Sequence, residues 1–261
     1  MKKAFRYILI LSVSLLLIIL SIWYLGIPDR YVSERLESLA PEPYVIKVNG
    51  LKKGLFFDFG IDSLTVSDGS NDMLSVSDVK GRLNPLKMVS GIAAINIQGQ
   101  LYGGWFSGSA LVMESGEKVD ATFGDIDIGM IDYVSSLGFD GKGELSGSFS
   151  YDKGNGELEF IINDVDMKGY SGGGVYVPLK YFHTVRGAAG LSPPYRMVVR
   201  SISLTGDDIY VRARGNISNG LADLELEIMP EDTFSDSSLL VLIDRYKVSD
   251  GYYFIPLKRK L

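Results

Sequence analysis

The sequence predicts a mainly β protein, in which an N-terminal transmembrane helix precedes a large antiparallel, curled (taco-like) β-sheet domain with a few short helices. Three observations favour this fold class. Residues 7–27 form a charge-free apolar run, much of the remaining chain alternates apolar and polar residues, and 30 of the 261 residues are glycines, above the usual share of about 7 %. Alternation with a period of two is typical of half-buried strands, and glycines mark the turns between them.

The apolar run from Tyr7 to Ile27 has 21 residues, enough to cross the hydrocarbon core of a bilayer as a helix. Residues 2–6 carry three positive charges, so the positive-inside rule places the N-terminus in the cytoplasm and the chain from Pro28 onward on the other side. A cleaved signal peptide is the alternative. Its apolar core would be shorter, and the exit from this run has no small-residue cleavage site.

The residues that we expect to form the membrane anchor are apolar or aromatic, and the last two sit where an aromatic belt would meet the outer interface. They are Tyr7, Ile8, Leu9, Leu15, Leu16, Leu17, Ile18, Ile19, Leu20, Trp23 and Tyr24. Residues 1–27 would then be a cytoplasmic stub and transmembrane helix, and residues 28–43 a juxtamembrane amphipathic helix and linker. Residues 44–261 would be an antiparallel β domain with a subdomain break near 170–174.

Several elements of this β domain can be predicted individually. Leu55 to Phe59 is expected as an early strand, and Asn84-Pro85 should cap a helical turn that spans Leu86 to Val89. Lys118 to Ile128 is expected as a strand with a bulge at Gly124. Ser237 to Lys247 has the apolar spacing of an amphipathic helix. The acidic residues Asp223, Glu225 and Glu227 predict a solvated sheet edge.

One hairpin is expected to be dry on one face and wet on the other, because its apolar residues alternate with polar ones. Its apolar residues are the candidate groove face: Leu145, Phe149, Tyr151, Leu158, Phe160 and Ile162. The short helices are too few to cover about a dozen strands, so the sheet would fold on itself or curl open toward lipid or a partner. Acyl chains would fill such a groove favourably, and a second layer of protein would do so equally well.

Composition excludes several classes of function. The net charge of −6 argues against a nucleic-acid partner, and the absence of cysteine excludes thiol and cysteine–zinc chemistry. His183 is the only histidine, and the sequence has no G-x-S-x-G motif. We therefore expect no catalytic residue, no metal site and no cofactor, and we expect that the protein is not an enzyme.

The chain resembles type II secretion system protein N. The resemblance rests on the N-terminal run followed by Pro28-Asp-Arg-Tyr31, on residues 126–147 and on the C-terminal Asp250-Gly-Tyr-Tyr-Phe-Ile-Pro-Leu257. In that family the last block usually ends in Gly-Thr-Leu, whereas this chain continues as Lys258-Arg-Lys-Leu261.

The resemblance implies an inner-membrane accessory of the type II protein secretion system, with a single-pass anchor and a periplasmic β domain similar to the groove-forming sheets of AsmA-like envelope proteins. The implied role is assembly or scaffolding, and the implied partners are the membrane and other secretion subunits. The alternative is an AsmA-like carrier whose groove shields phospholipid in transit across the envelope. The family supplies no catalytic residues.

Overall fold

The computed structural model describes residues 14, 18, 20–38, 40, 43–69, 72–136, 139–172, 175–193 and 196–260. The protein is mainly β, the strand pairs in each unit are antiparallel, and the helices are few and short, which confirms the predicted fold class at this level. The chain divides into two compact units, residues 1–101 and 102–261. The position where a subdomain break was expected, near 170–174, lies inside the second unit.

The first unit contains helix α1 (Asp29–Glu37), helix α2 (Pro85–Val89) and a π-helical turn (Ile22–Gly26). Its strands are β1 (Val45–Asn49), β2 (Lys52–Lys53), β3 (Asp58–Ser67), β4 (Asp72–Leu83) and β5 (Ala93–Leu101). The hydrogen-bonded order is β1-β3-β4-β5, with β2 also paired to β3. Asn84 Oδ1 accepts hydrogen bonds from the amides of Leu86 and Lys87, which confirms the predicted cap of α2.

The second unit contains helices α3 (Asp132–Ser136) and α4 (Ser237–Ile243), with 3-10 turns at Ile128–Met130 and Asp244–Tyr246. Its strands are β6 (Gly104–Met113), β7 (Gly116–Asp127), β8 (Phe139–Asp152), β9 (Asn155–Gly172), β10 (Val175–Pro178), β11 (Phe182–Ser192), β12 (Arg196–Gly206), β13 (Ile209–Ser218), β14 (Leu221–Pro230), β15 (Lys247–Ser249) and β16 (Tyr252–Lys260). The order is β6-β7-β8-β9-β11-β12-β13-β14-β16-β15, and β10 pairs with β9.

Two details of the prediction are confirmed and two are wrong. The register of β7 against β8 shifts between Phe123 and Ile126, which is the predicted bulge. Helix α4 begins at Ser237 as expected, but it ends at Ile243 and the prediction reached Lys247. The strand expected from Leu55 begins only at Asp58, because the preceding residues form a turn. The acidic stripe does not mark a sheet edge, since β14 lies between β13 and β16.

Among the described residues, no helix combines the length and the apolar character that crossing a membrane requires. Seven of the expected anchor residues lie outside the described residues: Tyr7, Ile8, Leu9, Leu15, Leu16, Leu17 and Ile19. Ile18 and Leu20 are helical, and Tyr24 lies in the π-helical turn with an exposed side chain.

Candidate functional site: an apolar cavity in the second unit

The strand register of the second unit places apolar side chains in rows that run across neighbouring strands on one face. In the row through the middle of β8, phenylalanines alternate with glycines before an isoleucine follows. From β7 to β12 it reads Phe123, Gly147, Phe160, Gly187 and Ile202. No bulge interrupts the pairing of β8 with β9 between Leu145 and Asp152, so Leu145, Phe149 and Tyr151 share this face.

The two glycines of this row give the phenylalanine rings their room. A Cβ atom on Gly187 would overlap the ring of Phe160, and a Cβ atom on Gly147 would lie 2.8 Å from Cζ of Phe123. Each ring therefore lies over the backbone of a neighbouring strand rather than standing upright from the sheet. The two rings therefore extend less far from the sheet, and empty space remains above them.

That space is a cavity of about 620 Å³, within the usual range of about 300–1,000 Å³ for small-molecule sites. Among the residues that the structure describes, every one that lines the cavity is apolar. The lining residues are Phe123, Ile128, Ile131, Val134, Phe139, Leu145, Leu158, Phe160, Ile162, Met167, Leu179, Val185, Ile202 and Leu204. Such a wall offers no side-chain partner to a polar ligand atom, so it suits hydrocarbon.

The wall of the cavity is only partly helical. Ile131 and Val134 come from the segment that contains α3, and Leu179 comes from the connection between β10 and β11. Helix α4 instead places Leu239 and Ile243 in the buried core, and neither residue lines the cavity. The short helices therefore border the cavity without filling it.

Four of the six predicted groove residues line this cavity: Leu145, Leu158, Phe160 and Ile162. Phe149 and Tyr151 lie on the same face and are half-buried, but they are beyond the cavity toward the β8–β9 turn. Sequence reasoning missed the remaining ten lining residues. Only the register shows that Val185 lies opposite Ile162 of β9 and opposite Leu204 of β12.

The opposite face of the same strands is polar. Ser146 and Ser148 of β8, Arg186 of β11 and Ser201 and Ser203 of β12 form a shallow surface there. Ile161 lies on that face too, one residue from Ile162 in the cavity. Adjacent residues of β9 therefore face different surroundings, Ile161 the polar surface and Ile162 the apolar cavity.

The segment between β10 and β11, which contains Leu179, is hydrogen-bonded to the residue that precedes α4. The hydroxyl of Tyr181 donates a hydrogen bond to Asp236 Oδ2, and Asp236 Oδ1 accepts from the amide of Leu239 at 3.2 Å. The ring of Tyr181 packs edge-on against Phe234. The hydrogen bond to Asp236, followed by burial, raises the pKa of Tyr181 above its usual 10.0.

The face of β13 and β14 that carries the acidic stripe also carries two arginines, Arg212 and Arg214. Glu227 is 5 % exposed, and its Oε2 lies 2.6 Å from Nη2 of Arg212. Arg214 reaches Glu225 at 3.0 Å and Glu227 at 3.6 Å, and these carboxylates raise its pKa. The register pairs Arg212 with Glu227 and Arg214 with Glu225, so two of the three acidic residues of the stripe face an arginine of β13.

His183 is exposed, and its Nε2 lies 3.5 Å from Oδ1 of Asp207. Within the described ranges, no three histidines or carboxylates come together in a way that could hold a metal ion.

In the first unit, the structure places Trp23 against the sheet. Trp23 is 8 % exposed, its Nε1 donates to the carbonyl of Gly54 at 2.9 Å, and its ring lies 5.6 Å from that of Phe57. Nζ of Lys53 donates to the carbonyls of Trp23 at 2.6 Å and of Ile27, and the Lys53 side chain is only 3 % exposed. A lysine in this position satisfies carbonyls that the end of a helix leaves unpaired.

Comparison of the chain with protein-family models, with curated proteins and with solved structures finds no match.

Proposed function

We propose that the protein is a membrane-anchored, non-enzymatic envelope protein whose second unit holds the acyl chain of a lipid. The observation that carries this proposal is the cavity of about 620 Å³ whose described lining residues are all apolar. Its wall includes Leu145, Phe160 and Ile162 from the hairpin whose dry face the sequence predicts. The role corresponds to that of an AsmA-like carrier.

The energetics favour such an occupant. Each buried methylene contributes about 0.8 kcal/mol, so ten methylenes contribute about 8 kcal/mol before the costs of association are subtracted. The headgroup would remain outside, because the described side chains of the wall give it no hydrogen-bonding partner.

The location follows from the N-terminal run. Under this proposal Tyr7 to Ile27 is a single inner-membrane span with a cytoplasmic N-terminus, and the β units lie in the periplasm. The sheet of the second unit would curl around the lipid, since residues of β7, β8, β9, β11 and β12 all line one cavity.

The test uses the full chain, expressed in a Gram-negative host, with a photo-reactive benzoylphenylalanine at position 162 or at position 161. The two positions are adjacent in β9, and only Ile162 lines the cavity. We expect irradiation to give lipid-mass adducts at position 162 and none at position 161. Adducts at neither position, or equally at both, would overturn the proposal.

A second candidate function is the assembly role in type II secretion that the resemblance implies. An exposed apolar segment favours a protein partner: Val241 and Leu242 of α4 and Val248 of β15 are 77 %, 49 % and 64 % exposed. Such surfaces often mark interaction sites. The same cross-linker at position 241 would capture a secretion subunit if this function is correct, and no protein adduct there would count against it.

A further inference from the structure

The turn between β2 and β3 exposes two large apolar side chains. Leu55 is 49 % exposed and Phe56 is 65 % exposed, although Phe57 beside them is only 7 % exposed. The turn is held by hydrogen bonds from the Gly54 amide to the Asp58 carbonyl at 2.8 Å and from the Phe56 amide to Asp58 Oδ1 at 2.9 Å. The outward position of Leu55 and Phe56 is therefore built into the turn.

The backbone of this turn is unfavourable for its sequence. Phe57 has a φ of +60°, a left-handed conformation that bulky residues rarely adopt. The conformation directs Phe57 inward onto Trp23 and leaves its two predecessors facing solvent. A turn that served only to reverse the chain would suit glycine or asparagine here.

The same end of the sheet carries a second exposed apolar segment. The Leu83 amide donates to the Phe57 carbonyl at 2.8 Å, which brings the start of α2 beside the turn. In α2, Leu86 is 82 % exposed and Met88 is 46 % exposed. We call Leu55, Phe56, Leu86 and Met88 the apolar tip. Lys52 and Lys87 lie next to it in sequence and are exposed, and cations there suit anionic lipid headgroups.

The apolar tip lies where the charge-free N-terminal run ends. Trp23 is hydrogen-bonded to Gly54 of the turn, and Lys53 is bound to the carbonyls of Trp23 and Ile27. On the described part of that run, Ile18, Ile22 and Leu25 are 56 %, 57 % and 78 % exposed. The turn and the end of the run are therefore fixed side by side, with apolar side chains outward on both.

We propose that the apolar tip is a second membrane contact, which enters the interface of the same lipid bilayer that the N-terminal run enters. This inference rests on the proposed membrane anchor. The bilayer is the occupant that the chain itself indicates, because a run of 21 uncharged residues ends beside the tip and Lys53 binds carbonyls of Trp23 and Ile27 at that end. The first unit would then contact the membrane at two places, which would fix its distance from the bilayer.

The chain contains no cysteine, so single cysteines can report on each position. We would label Phe56→Cys and Leu86→Cys with the environment-sensitive fluorophore NBD in the full chain and reconstitute it into vesicles of phosphatidylethanolamine and phosphatidylglycerol. Leu74→Cys is the matched control. Leu74 is 37 % exposed and pairs with Val66 of β3. Val66 lies about eight residues from Asp58 at the start of β3, roughly 26 Å along the strand.

We expect a blue-shifted emission at positions 56 and 86, strong quenching there by shallow spin-labelled lipids, and neither effect at position 74. Equal quenching at the tip and at Leu74 would overturn the inference, as would no quenching at any of them, the result expected if a protein covers the tip.

A label at Leu9→Cys separates this inference from the anchor on which it rests. Quenching at position 9 without quenching at 56 and 86 rejects the tip contact and keeps the anchor. Quenching at 56 and 86 without quenching at 9 rejects the anchor and keeps a lipid-binding tip. Quenching at none of these positions rejects both.

Discussion

At the scale of the residue, Glu227 shows how a buried charge is accommodated in this sheet. Its side chain is 7 % exposed, and Arg212 directly across the strand pair supplies two donors, Nη2 at 2.6 Å and Nε at 2.8 Å. Burying a carboxylate is costly unless it is paired and hydrogen-bonded. The alternation of β14 alone suggested solvent, because the compensating arginines lie in a different segment of the chain.

We expect Glu227→Ala to destabilise the protein by about 1.5–3 kcal/mol, because it removes charge-assisted hydrogen bonds and leaves Arg212 without its main partner. Glu225→Ala is the control. Glu225 is 47 % exposed, and its loss should cost no more than about 1 kcal/mol. Denaturant unfolding of the two variants checks this, and equal losses of stability would contradict it.

At the scale of the element, two short helical segments depend on specific side-chain contacts for their position. The π-helical turn Ile22–Gly26 is held by Lys53 and by Trp23, and the start of α4 is capped by Asp236, which also binds Tyr181. Helices this short are marginal alone, so tertiary contacts must supply their stability. Substitutions at these contacts should loosen one element and leave the strands in place.

Lys53→Met should therefore loosen the contact of Trp23 with the sheet, at a cost of about 1–3 kcal/mol for the carbonyls left unpaired. In a Trp105→Phe background Trp23 is the only tryptophan, and its quenching by acrylamide reports the change directly. Lys52→Met, at the adjacent exposed position, should leave the quenching unchanged. If both variants behaved alike, the role of the Lys53 contacts would be refuted.

The Tyr181 hydrogen bond predicts a change in alkaline stability. The pKa of Tyr181 is raised in the folded protein, so its stabilising effect is complete below the ordinary value of 10.0 and is lost as the pH rises through the folded pKa. The stability difference between the native chain and Tyr181→Phe should be constant near neutral pH and shrink above pH 10.0. Denaturant midpoints measured across that range check this, and a difference that does not change with pH would argue against it.

At the scale of the whole molecule, sequence patterns predicted the features that depend on residues close together in the chain. The hairpin of β8 and β9 and the cap of α2 were readable because alternation and an Asn-Pro pair act within a few residues. The cavity was only partly predictable, since its wall joins β7, β8, β9, β11 and β12 through register that no single segment encodes. The exposed turn at Leu55 was missed because apolar residues before a strand resemble the strand itself.

The glycine and phenylalanine pairs beneath the cavity also limit how this sheet could change over time. A side chain larger than hydrogen at Gly187 would force the ring of Phe160 upward into the space that it now leaves empty. Enlarging one position therefore requires shrinking its neighbour across the strand. In related chains that keep the cavity, a larger side chain at one of these paired positions should be accompanied by a smaller one at the other. The summed side-chain volume of the pair should stay constant.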